Sequence, residues 1–237
     1  MPARELALVL PAFDEAPRVG SVVAEWEATL AELAIDYSIH VYDDGSRDET
    51  PRVLAELAAA RPRLGVVRQT NRGHGPTILR AYREARADWI AQADADGEIP
   101  AAAFAGLWRR RAEGDLLLGR REGRPQAPSR RAVSAAARAT VRVLAGRAVT
   151  DVNVPFRLLR RSRLAPLLAE LPDDLFAPNV ALTALALARG LAVVEVPVPH
   201  VARRTDAGTL VSGRLARGAA RALAETLALL YRSGGGA

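Results

Sequence analysis

The chain has 237 residues, of which 49% are apolar and 25% charged, a balance that excludes disorder and suits one α/β domain rather than a string of small ones. Cysteine is absent, which excludes disulfides, thiolate metal sites and thiol nucleophiles and leaves oxygen or imidazole to hold any metal. The formal charge is +6 and every basic side chain is arginine, whose planar fork suits phosphate, whereas 5% aromatic residues and the lack of a recognition module argue against nucleic acid.

In chain order, Glu5 to Leu10 reads as a strand closed by Pro11. Its apolar run is too short, and too soon followed by Asp14 and Glu15, for a secretion signal, so a cytoplasmic protein is expected. Helical spacing over Arg18 to Leu33 is followed by a strand over Tyr37 to Tyr42, a helix over Thr50 to Ala60 and a strand over Leu64 to Arg68. Then come a helix over Pro76 to Ala87, a strand over Trp89 to Ala93, a helix over Ala101 to Arg111 and a strand over Asp115 to Leu118. Repeated βα units predict a Rossmann-like, mostly parallel sheet with helices on both faces. The second half is less regular: an arginine-rich loop from Arg121 to Ser129, a helix from Arg130 to Gly146, a strand from Phe156 to Arg161, helices over "LAPLLAEL" and "PNVALTALALAR", and a strand over "LAVVEVPV". The apolar tract Val180 to Val198 is interrupted by Arg189 and Glu195, so it falls short of the roughly 20 apolar residues of a membrane span. An amphipathic helix from Leu210 to Tyr231 ends the chain.

In doubly wound sheets the ligand binds beyond the carboxyl ends of the strands. "PAFDE", "DDGSRDE", "QTNRGHG", "DADGE" and "GRREGR" follow the first five strands, so the polar, glycine-rich segments converge on one edge. Asp94 and Asp96 lie one residue apart at a strand end, where two carboxylates can face one site and select a hard cation, Mg2+ or Mn2+, with Glu98 as a third ligand. Asp43 and Asp44 can accept hydrogen bonds from a base or ribose. His40 and His74 have no partner at ligand spacing, and Trp26, Trp89 and Trp108 read as core or interface anchors.

"VLPAFDE", "VYDDGSRDET", "NRGHGPTILRAYREA", "DADGE", "LLLGRR" and "DVNVPFRLLRR" occur in the order and spacing of family 2 glycosyltransferases with the GT-A fold, and the chain most resembles the polyprenyl-phosphate sugar synthase (dolichyl-phosphate mannosyltransferase) branch. The resemblance covers Leu6 to Thr209 and implies a metal-dependent, inverting transfer from a GDP- or UDP-linked sugar to a polyprenyl phosphate. It implies that Pro11, Ala12, Phe13, Glu15, Asp43, Asp44 and Asp94 bind the nucleotide and that Asp94, Asp96 and Glu98 hold the metal. It counts Asp96, Arg121 and Arg157 as catalytic, although "NVPFR" departs from that branch's "TSGFR". It assigns His200, Arg203 and Arg204 to acceptor phosphate or diphosphate.

Hydroxyl-using relatives carry an aspartate base about eleven residues before a helix-ending glycine, and counting back from Gly190 reaches Asn179, an amide that cannot take a proton. A phosphate monoester, with a second pKa of about 6, needs no base. A phosphate acceptor follows, with Asn179 on the acceptor side; Asp173 and Asp174 lie close enough to keep a hydroxyl acceptor as the alternative, and a non-catalytic nucleotide-sugar binding module is a lesser one. The expected domains are 1–209, divided near 98 into nucleotide and acceptor halves, and a C-terminal helix and tail over 210–237, whose arginines would favour peripheral contact with the inner face of a membrane.

Overall fold

The computed structural model describes residues 4–122, 149–200 and 212–234, with side chains of the last segment described at 217, 218 and 220–231. The loop and helix expected over 123–148, and Arg203 and Arg204, lie outside the described residues.

The strands are β1 (Arg4–Ala12), β2 (Tyr37–Asp43), β3 (Leu64–Arg68), β4 (Ala87–Gln92), β5 (Leu116–Glu122), β6 (Arg157–Arg160) and β7 (Val193–Pro199). The helices are α1 (Val19–Glu32), α2 (Thr50–Ala60), α3 (His74–Glu84), α4 (Phe104–Arg109), α5 (Arg161–Glu170), α6 (Pro178–Ala188) and α7 (Ser212–Gly234). The expected helix over Ala101 to Arg111 divides into α4 and two 3-10 turns, and α3 begins two residues early, which puts Pro76 in its first turn where no intrahelical donor is needed.

One sheet runs in the order β3-β2-β1-β4-β6-β5-β7. β1 is central, paired in parallel with β2 and β4, and Leu6 to Leu10 are at most 1% exposed, as expected of a continuous apolar run covered on both faces. β6 is the exception to the parallel pattern, antiparallel to both β4 and β5. Because it runs backwards, the segment leading into it, 149–156, returns to the edge where the neighbouring strands end.

Helices α1, α2 and α4 lie on one side of the sheet, and α3, α5 and α6 on the other. Under the first layer, Trp26, Phe104 and Phe156 meet with ring centroids 5.3–6.4 Å apart, and Trp108 extends the cluster to Trp89. In α6 every residue but the last is clearly buried, and its sequence carries no charge, because α7 packs over the surface that a sheet-covering helix would otherwise turn to water.

Candidate active site

The chain steps from β1 outward to β2 and β3, then crosses back to place β4 on the other side of β1. Such a reversal opens a crevice beyond the strand ends. A cleft of about 310 Å³ lies there, lined by Pro11, Ala12, Phe13 and Glu15 after β1, Asp44 after β2, Asn71, Gly73 and His74 from the β3–α3 connection, and Asp94, Ala95 and Asp96 after β4.

Backbone-to-side-chain bonds tie the first three loops together. Asp14 takes a left-handed conformation (φ 55°), which aspartate tolerates better than most residues, and its Oδ1 accepts from the Arg47 and Asp48 amides at 2.7 and 3.3 Å. In return, the Asp14 and Glu15 amides donate to Ser46 Oγ and Thr50 Oγ1. Asp44 accepts from Gln69 Nε2 and the amides of Arg72 and Gly73, at 2.7–2.9 Å. It therefore lines the cleft while shaping the third loop. Gly45 (φ 77°) is obligatory between them, since a Cβ there would stand 2.7 Å from the Asn71 amide nitrogen. Asp43 is fully buried and outside the cleft lining: Oδ1 accepts from the Ser46 amide, while Oδ2 makes no hydrogen bond and faces Arg68 Nε at 3.4 Å.

Beyond β4 the carboxylates gather. Burial, then the proximity of Asp96, pushes the Asp94 carboxyl well above the usual carboxylate range; Glu98 and Glu15 add to the rise and Arg121 opposes it. Asp94 Oδ1 is buried without a hydrogen-bond partner. A buried hard oxygen left unpartnered among like charges fits a divalent cation, which would remove the repulsion and complete the oxygen's coordination. Asp94 and Asp96 could hold one. Among the described residues no group of three or more histidine and carboxylate side chains is already gathered for a metal. Asp96 Oδ1 accepts from the Glu98 amide at 2.8 Å, and the Glu98 side chain, expected as a third ligand, instead meets His200 Nε2 at 3.2 Å. His74 is open over 56% of its side-chain surface, yet crowding by the cleft walls lowers its pKa, with Asp44 and Asp96 pulling the other way.

The arginines behave differently from one another. Arg121 lines a small recess with Asp94, Asp96 and Glu98, and its guanidinium is held by Asp151 through two bonds of 2.7 and 2.9 Å. Arg157, expected among the catalytic residues, is 1% exposed and donates to the carbonyls of Val152, Val154 and Asn179. It fastens the 152–156 turn to the start of α6 rather than facing the cleft, and burial lowers its pKa. Asn179 is 4% exposed and outside the cleft lining; its side-chain oxygen lies 3.1 Å from the Tyr82 hydroxyl, which also bonds Gln92 Oε1. Sequence reasoning singled out neither Asn71 and Gly73 in the cleft nor Asp151, Glu195, Tyr82 and Gln92 around it; only the glycine-rich "QTNRGHG" loop carried a signal, and there by position alone.

Residues 7–164, more than half of the chain, match the family model described as Glycosyl transferase family 2. The chain belongs to glycosyltransferase family 2. Among curated relatives, the undecaprenyl-phosphate 4-deoxy-4-formamido-L-arabinose transferase of Pseudomonas fluorescens (strain Pf0-1) is 27% identical over 205 residues, covering 85% of this chain and 59% of the relative. The protein of the same name from Pseudomonas aeruginosa (strain LESB58) is 29% identical over 204 residues, covering 84% and 58%. The chain thus spans about three-fifths of the length of these relatives. Among solved structures, glucosyl-3-phosphoglycerate synthase from Mycobacterium tuberculosis in complex with UDP superposes with a TM-score of 0.70 at 20% identity, over 96% of this chain and 80% of that one. Mannosyltransferase PcManGT from Pyrobaculum calidifontis in complex with GDP-Man and Mn2+ gives 0.63 at 15% identity, over 99% and 76%. At these identities the superpositions establish a shared fold, the GT-A glycosyltransferase architecture of one mostly parallel α/β sheet.

Proposed function

We propose that this family 2 glycosyltransferase binds a UDP- or GDP-linked sugar in the cleft, together with Mg2+ or Mn2+, and transfers the sugar to a polyprenyl phosphate. The observation that carries the reading is the buried, unpartnered oxygen of Asp94, set among carboxylates at the switch point of the sheet. The undecaprenyl-phosphate transferases among its relatives support the acceptor, and the UDP, GDP-Man and Mn2+ held by its structural neighbours support the donor and metal.

In such a transfer an acceptor phosphate oxygen bonds to the anomeric carbon as that carbon's bond to the diphosphate oxygen breaks, and the electron pair leaves with the diphosphate. The sugar passes through an oxocarbenium-like state while negative charge grows on the departing group. A dication held by Asp94 and Asp96 supplies electrostatic stabilisation of that charge. The protein's own part is to place the donor: the exposed Phe13 ring and Glu15 flank the cleft, and Arg121 offers N–H donors beside the carboxylates. His200 follows β7 directly and meets Glu98 beside the carboxylates, which supports a role for it toward the acceptor. A phosphate acceptor is largely ionised at neutral pH, which agrees with an amide at Asn179 and with Asp173 engaged by Arg83.

Among the described residues no helix is long and apolar enough to cross a membrane. Contact with a lipid acceptor falls instead to α7. It turns Leu223, Leu227 and Tyr231 outward at four-residue spacing, with Arg217 exposed on the same outer side, and its inner residues Thr226 and Leu229 pack against the body. An apolar stripe bordered by arginine suits the surface of an anionic bilayer.

The deciding experiment incubates the protein with UDP- and GDP-sugars, Mn2+ or Mg2+, and a short-chain polyprenyl phosphate, and follows formation of an acid-labile glycolipid. Transfer only to hydroxyl acceptors would replace the acceptor assignment. Asp96→Asn is expected to abolish turnover without unfolding the protein.

A further inference from the structure

Arg121 and Asp151 form the most completely buried ion pair among the described residues, with side chains 9% and 19% exposed. The pair is side-on: Asp151 takes the Nε hydrogen and one hydrogen of Nη2. A guanidinium has five N–H donors in a fixed fork, so three remain, two on Nη1 and one on Nη2, all on the edge turned away from Asp151. Asp151 is itself fixed from behind, because Glu195 Oε1 in β7 accepts both the Thr150 amide at 2.9 Å and the Asp151 amide at 3.0 Å.

This linkage is not needed to hold the turn in place. The Gly119 amide already donates to the Phe156 carbonyl at 2.8 Å, and Arg157 fastens Val152 and Val154 from within. Among the described residues, what Asp151 fixes is the direction of Arg121, at the rim of the recess that contains Asp94 and Asp96.

We propose that Asp151, backed by Glu195, is a positioning residue that aims the open edge of Arg121 at the phosphate of the donor farther from the nucleoside. The inference rests on the cleft being a nucleotide-sugar site. Lysine at position 121 could not substitute, since an ammonium cannot be held side-on by one carboxylate while presenting a planar pair of donors to another group.

The test is calorimetric binding of UDP and GDP, and of UMP and GMP, each with Mn2+, to the wild-type chain and to Asp151→Asn, which keeps the size of the side chain but turns a donor toward the guanidinium. The diphosphate that binds wild type should lose about tenfold or more in affinity, as expected for a mis-aimed charge-assisted contact, while its monophosphate binds as before. Glu195→Ala should shift diphosphate affinity in the same direction, and Glu195→Gln, which keeps the acceptor, should retain more of it. The Glu195 variants also decide the matter if Asp151→Asn does not fold. Equal losses for monophosphate and diphosphate would reduce Asp151 to a structural clamp, and no loss for either would remove its role; both outcomes overturn the proposal. Failure of the wild-type chain to bind any of the nucleotides would overturn the functional reading beneath it.

Discussion

His74 Nε2 stands 4.0 Å from Asp94 Oδ1, close enough to approach the buried oxygen but not to donate a hydrogen bond to it. Burial first, and then the neighbouring carboxylate of Asp96, raises the Asp94 pKa, while Arg121 opposes the rise. A carboxyl whose folded pKa lies above its unfolded value binds its proton more tightly in the native state. The native state is then favoured at low pH, and this contribution is lost as pH rises from the unfolded pKa through the raised one. Without metal, Asp94→Asn should raise Tm at pH 7, by about 2–4 °C for each kcal/mol of relieved repulsion in a chain of this size. The gain should shrink as pH falls toward 4. A variant that melts at or below the wild type at both pH values would contradict the raised pKa.

The same shift sets the pH dependence of metal binding. A cation at Asp94 must displace the proton held there, so Mn2+ affinity should fall as pH is lowered and binding should release protons. Titration calorimetry of Mn2+ in two buffers of different ionisation enthalpy measures that release directly. Identical heats in both buffers at a pH where Asp94 is protonated would exclude it as a ligand.

Gly75, in the first turn of α3, has no room for a side chain: a Cβ would come closer than 3.0 Å to the carbonyl oxygens of Leu175 and Phe176. Backbone cannot yield as a side chain can. Gly75→Ala should therefore cost about 1–3 kcal/mol by overpacking. Because Gly73 and His74 line the cleft just before it, nucleotide affinity should fall in parallel. Thermal melting and a nucleotide titration on one preparation check both effects, and a normal Tm with weakened binding would separate the packing from the site.

Leu227 and Tyr231 of α7 are 42% and 86% exposed, so Leu227→Glu with Tyr231→Glu should leave Tm almost unchanged. The pair of charges should nevertheless abolish sedimentation with vesicles containing anionic lipid. Equal sedimentation of wild type and variant would remove α7 from the membrane contact.

The strands and the site edge were legible because the apolar runs of β1 to β5 are separated by amphipathic segments, and a parallel sheet must bring the ends of those runs together. What escaped was direction. Nothing in "FRLLRR" reveals that β6 runs antiparallel, since four residues that run straight into α5 carry no hairpin signal, and its reversal is what returns Asp151 to the site edge. Arg157 and Arg121 look alike in sequence, yet one points into the core and the other to the rim; strand alternation fixes this only once the register with Gln92 and Leu118 is known. Glu195 was read only as a charge interrupting an apolar tract, because its partners, the amides of Thr150 and Asp151, lie 44 to 45 residues away.

Asn179 offers the sharpest test of acceptor chemistry. Its side chain lies within a buried polar group with Tyr82 and Gln92, its own carbonyl is held by Arg157 and Thr183, and it does not line the cleft. Asn179→Asp would restore a carboxylate at the position that hydroxyl-using relatives reserve for a base, but would leave it packed against Tyr82 rather than at the cleft. A base must reach the proton it removes, within hydrogen-bonding distance or through one water. The variant is accordingly expected to gain no transfer to hydroxyl acceptors and to keep making the acid-labile product from a phosphate acceptor. Product analysis with both acceptor types, at equal donor and Mn2+, distinguishes the outcomes. If the aspartate variant glycosylated an alcohol faster than wild type did, position 179 would have access to the reacting oxygen, and the argument from Asn179 for a phosphate acceptor would fall with it.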